Sequence, residues 1–107
     1  MEQSEQRILM NFQEANRQAG RLEEIAEDIS RTADRDLENE IQKISLNWKG
    51  ENAQAFTKKA STMQDKTRRN AKDLKQIAKT IRTIAKNTYD AEMRAMEIAK
   101  NNAGSTM

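Results

Sequence analysis

The chain has 107 residues, with no proline, cysteine, histidine or valine and only three glycines. Those absences remove Cys/His zinc sites, disulfide scaffolds, thiol chemistry and the His-based triad, and no Gly-rich phosphate loop is present. Leu, Ile and Phe total 16 residues, low for a globular core, yet Ala, Glu, Lys, Leu and Arg make up 49, the mix of long helices, and the net charge is only +2.

The N-terminal Met1-Glu2-Gln3-Ser4-Glu5-Gln6 lacks the basic start and apolar stretch of a signal peptide, so no cleaved leader is expected. From there apolar residues fall at Ile8, Phe12, Ala15, Ala19, Leu22, Ala26, Ile29 and Ala33. Steps alternating four and three are the seam of a packed helix. The stripe continues at Leu37, Ile41, Ile44 and Trp48, with three successive steps of four from Ile29 to Ile41, a local lengthening of the period. The spacing predicts a first helix over about 5–47. A turn follows at about 48–52, where Gly50 supplies a positive φ and Asn52 is the candidate N-cap.

The second stripe runs through Ala53, Phe56, Ala60, Met63, Thr67, Asn70, Leu74, Ile77, Ile81, Ile84, Thr88, Ala91, Ala95 and Ile98 without a slip. It predicts a helix over about 53–100, with an aperiodic and flexible tail at 101–107. Ala71, Ala78 and Ala85 form a shoulder beside this seam that lets another helix approach closely. A connection this short makes the helices antiparallel neighbours in one hairpin domain. Two helices cannot enclose so wide an apolar face, so the expected fold is an all-α helical hairpin completing a four-helix bundle on dimerisation. Its bundle seam is Phe56, Met63, Leu74, Ile77, Ile81 and Ile84. The polar seam positions Thr67, Asn70 and Thr88 are candidates for setting register or partner choice. Residues 1–47 carry net charge −5 and residues 48–107 net +7, which favours the pairing weakly.

Trp48-Lys49-Gly50 at the bend, followed by Ala53, Ala55 and Phe56, resembles the Trp-x-Gly family of small type VII secretion substrates. The resemblance covers the whole chain by length, helix layout and motif placement. It implies a hairpin dimer, exported without a cleaved signal peptide, whose signal near the end of the second helix is Tyr, three residues, then an acid. Here Tyr89 is followed at the fourth place by Met93, with acids at Asp90, Glu92 and Glu97 instead. The implied partners are a second copy, or the helical domain of a larger secreted toxin that this chain would escort, and the secretion ATPase.

Trp48 has two readings, a core plug that staples the bend or a contact for a partner or the machinery. Tyr89, Met93 and Met96, spaced four and three, are expected on the outer face opposite Thr88, Ala91, Ala95 and Ile98, as a recognition patch for the ATPase or an effector. Arg68, Lys72, Lys75, Lys79, Arg82 and Lys86 form a basic stripe, read as a solvated face paired with acidic neighbours. The rival reading from another class is a basic nucleic-acid-binding helix, though no aromatics are interleaved for base stacking. No cofactor, no metal, no stable membrane insertion and no catalytic residue is expected: the carboxylates are clustered on a solvated helix with no concave pocket.

Overall fold

The computed structural model describes residues 2–105. The first arm comprises α1 (Glu2–Arg31), a π-helical segment (Thr32–Leu37) and α2 (Glu38–Asn47), and the second arm is one helix, α3 (Glu51–Ser105). No strand occurs among the described residues. The protein is thus an all-α helical hairpin. Hydroxyl residues within the helices donate back to the carbonyl one turn earlier, as Ser45 does to Ile41 and Thr67 to Met63, which satisfies them without interrupting the ladder.

The lengthened period has a direct structural counterpart. Ile29 to Ile41 spans three turns in twelve residues, where an α-helix uses about eleven. The surplus of about one residue is what a π turn inserts, and the π segment lies inside that interval. It keeps Leu37, Ile41 and Ile44 on the half-buried face that Ile29 and Ala33 begin.

At the bend, Trp48 closes α2 with extended φ/ψ of −120°/122°, its N–H bonded to the Ile44 carbonyl at 2.8 Å. Gly50 takes φ +116°, the single positive φ among the described residues, and its carbonyl accepts the Gln54 N–H at 3.1 Å. Gly50 therefore opens α3. Asn52, expected as the cap, lies within the first turn, because the reversal is completed at the one residue without a Cβ. The far end also departs from expectation: α3 continues through Asn101 to Ser105 rather than fraying near 100, while Thr106 and Met107 of the expected tail lie outside the described residues.

The chain divides into two compact units, Met1–Arg21 with Ile77–Met107, and Leu22–Gln76. In the first, Glu5 pairs with Lys100 at 2.7 Å and the Phe12 ring lies 4.9 Å from that of Tyr89. In the second, Glu27 pairs with Lys75 at 2.5 Å and Asp34 with Arg68 at 2.6 Å. Rising numbers on one arm meet falling numbers on the other, so each unit is antiparallel. The acids come from the first arm and the bases from α3, as the charge division anticipates.

Apart from Ile8, the buried apolar residues of both units are alanines. Ile8, Ala19, Ala78 and Ala85 are buried in the first unit, and Ala26, Ala33, Ala53 and Ala71 in the second. Ala19, Ala26 and Ala33 recur every seven residues, as do Ala71, Ala78 and Ala85. What the sequence presents as a shoulder is the centre of the packing. No large side chain is fully buried among the described residues.

Candidate interaction surface

Because alanines occupy the contact line, the larger apolar side chains of α3 are displaced to its flank. Of the expected seam, Leu74 and Ile81 are half-buried, but Phe56, Met63, Ile77 and Ile84 are exposed, as is Ile98, all between 48% and 66%. Those exposed residues, with Asn70 and Ala91, recur at every seventh position. They are not buried against the first arm, contrary to the expectation that the two seams cover each other.

In the first unit this flank borders an open apolar groove of about 280 Å³ lined by Ile8, Phe12, Ile81, Ile84, Thr88 and Tyr89, with Glu92 at its edge. The expected outer patch lies elsewhere. Tyr89, Met93 and Met96 are half-buried, Tyr89 with its ring tilted 37° against Phe12, while Thr88, Ala91, Ala95 and Ile98 are exposed. The two faces exchange places because the buried line follows the alanine positions and not the larger residues beside them. Asp90 remains exposed next to Tyr89.

At the bend, Trp48 is 57% exposed, so it is not a core plug in the single chain. Its ring meets Phe56 edge-on, with centroids 6.1 Å apart and planes at 79°. An aromatic pair in this geometry contributes roughly 0.5–1.5 kcal/mol beyond area burial. Trp48→Ala is therefore expected to cost the isolated chain only about 1 kcal/mol in urea denaturation, against the ~3–5 kcal/mol of a buried ring.

Arg68 and Lys75 of the basic stripe are engaged with Asp34 and Glu27, and Arg82 lies over Gly20, its Nη2 being 3.7 Å from where a Cβ would stand. Hydrogen bonds and charge from Lys100 and Lys75 hold the carboxyls of Glu5 and Glu27 below their ordinary range, and the amides of Gln64 and Gln42 do the same for Glu38. Asp34, with Asp65 nearby, raises the already high pKa of the Arg68 guanidinium. A carboxyl depressed in the folded state contributes stability above its unfolded pKa and loses it as pH falls through the folded value. Thermal melts are expected to be flat from pH 7 to about 5 and to fall below the ordinary glutamate value of 4.5. The acid-sensitive part should shrink in high salt, since these pairs are solvent-exposed.

The sequence reading missed Gln64, the one buried polar side chain among the described residues, 4% exposed. Its amide donates to the Ala33 carbonyl at 2.7 Å and to Glu38 Oε2 at 2.8 Å. A signal was present: Gln64 lies one heptad before Ala71, on the same shoulder.

The geometry defines a class: an α-helical hairpin with a thin alanine core, an exposed aromatic pair at the bend and large apolar residues left without cover on one flank of α3. A comparison with family models identifies the family. Residues 4–93 match WXG100, proteins of 100 residues with WXG, and the chain belongs to that family. Its members are small proteins associated with type VII secretion, secretion substrates that generally form dimers and are not known as enzymes. Neither the curated proteins nor the solved structures return a match. No described helix is long and apolar enough to cross a membrane.

Proposed function

We propose that the chain is a substrate and adaptor of a type VII secretion system that works by docking a second helical hairpin on the exposed flank of α3. The observation that carries this reading is the set of large apolar residues exposed at Phe56, Met63, Ile77, Ile84 and Ile98. Such a surface is costly in water and matches the apolar core of a protein interface. A second copy completes a four-helix bundle and covers the flank. In this reading the Trp48–Phe56 pair also packs on the partner, and the Tyr89–Met96 segment is presented to the secretion ATPase. In this reading the protein is cytoplasmic before its export by the type VII machinery.

Light scattering on the purified chain tests the proposal. A strongly helical species at twice 12.3 kDa is the expected result. A folded monomer at micromolar concentration overturns the homodimer.

One observation favours a different partner. Met93, half-buried beside α1, stands where the resemblance calls for an acid after Tyr89. A chain without that acid relies on its partner for the export signal, which fits an escort of a larger toxin's helical domain. In that case the chain alone aggregates or loses helicity, and the toxin's helical domain restores a one-to-one complex.

A further inference from the structure

The π segment is gripped by two side chains one turn apart on α3. Gln64 donates to the carbonyl of Ala33 inside the segment and to Glu38 just beyond it, and Arg68 Nε reaches Asp34 at 2.6 Å. All these residues belong to the Leu22–Gln76 unit. At the near end the Thr32 hydroxyl donates to the Asp28 carbonyl at 3.1 Å. A π turn widens the backbone and leaves part of the i→i−4 ladder without its usual partners. In this widened stretch the Ala33 carbonyl takes a buried hydrogen bond from Gln64.

We infer that Gln64, assisted by Arg68, is the lock of a one-residue π insertion, and that residues 32–38 are the hinge at which the bend-bearing end of the first arm is held and from which it is released. Two independent features support this. The first is the sequence arithmetic. Removing one residue between Ala33 and Leu37 converts the steps of four into the regular alternation of four and three through Ile41 and Ile44. The insertion is thus separable from the rest of the stripe. The second is chemical. Gln64 occupies the heptad position that holds alanine at 71, 78 and 85, so opposite the insertion that line carries a side chain that can donate two hydrogen bonds.

The lock has a consequence for the bend. One residue of helix is a rotation of about 100°. The insertion therefore sets which way α2 and Trp48 face relative to α3, and a released hinge lets that setting drift. The device belongs to the hairpin itself and does not depend on which partner the exposed flank takes.

The test is a double-mutant cycle on the full-length chain, between Gln64→Leu and deletion of Asp36, an exposed residue of the segment. Gln64→Leu keeps the volume approximately and removes the donor. Hydrogen exchange at residues 32–38 is expected to accelerate by about tenfold or more relative to residues 22–31. The emission of Trp48, the sole tryptophan, should shift with it. In the background lacking Asp36, where a regular α-helix needs no such donor, the same substitution should leave exchange and emission unchanged. Equal effects in both backgrounds, or unaltered exchange at 32–38 in Gln64→Leu, overturn the lock. Should Gln64→Leu not fold, Arg68→Gln supplies the second arm: it breaks the exposed pair with Asp34 across the arms, and with it the local pair with Asp65 on α3. Acceleration confined to 32–38 supports the inference, and acceleration spread evenly over the unit refutes it.

Discussion

Replacing Ala71 with leucine is expected to be strongly destabilising to the hairpin. Ala71 is 1% exposed and shares its unit with Ala33, which is fully buried. The ion pairs Asp34–Arg68 and Glu27–Lys75 flank it on α3, so the arms are held together on either side of the point where bulk is added. Forcing extra methylenes into a packed contact costs about 1–3 kcal/mol. Near-complete burial between two ion pairs that hold the arms together puts the expected value at the upper end, about 3 kcal/mol. A domain of this size has only ~5–15 kcal/mol in total. Urea midpoints decide the matter, with Ala55→Leu as the control: Ala55 is exposed on α3 and its substitution should move stability by no more than ~0.5 kcal/mol. Equal midpoints for the two variants would mean that the alanine line is not where the arms meet.

That outcome bears on how far the fold can be read without coordinates. Much is legible in the stripe of the first arm, because Ile8, Phe12, Leu22, Ile29 and Ile41 all end buried or half-buried. The slip to steps of four likewise appears as a π segment where the period lengthens. The second arm is harder for a physical reason. Periodicity analysis follows the largest apolar residues, but two helices approach most closely where side chains are smallest. On α3 those two criteria select neighbouring lines a fraction of a turn apart. Ala71, Ala78 and Ala85 go inward, and Met63, Ile77 and Ile84 remain outside. The same displacement carries Tyr89, Met93 and Met96 toward the first arm and leaves Ile98 exposed. Trp48 follows the same logic at the bend. A large ring at the end of a thin core finds Phe56 for its edge and nothing deep enough to enclose it. Sequence spacing identifies a face wide enough for two neighbours. It does not say which neighbour takes which half.

The half left over is the basis of the second large effect. Placing glutamate at both Ile77 and Ile84 is expected to abolish the proposed self-association while leaving the hairpin intact. The two positions are 48% and 59% exposed within one chain, so carboxylates there remain solvated in the monomer and cost its fold little. In a dimer that buries the flank the same groups lose their water without acquiring partners. Desolvating polar groups costs about 1–3 kcal/mol each by mutational measures, and more for charges. Two per chain therefore weaken the dimer by ~4 kcal/mol or more, roughly a thousandfold in Kd. Light scattering should report a monomer, with circular dichroism unchanged at concentrations where the unmodified chain is dimeric. Glutamate at the exposed polar positions Lys72 and Lys79 on the same helix provides the comparison, since those changes alter charge without touching the apolar flank. If the lysine variants dissociate and the isoleucine variants do not, association is driven by charge, and the apolar flank of α3 is not the docking surface. If both isoleucine substitutions also erase helicity, the hairpin depends on its partner to fold. A thin alanine core with no fully buried large side chain accounts for such a dependence, because large apolar side chains of α3 stay exposed to water in the single chain.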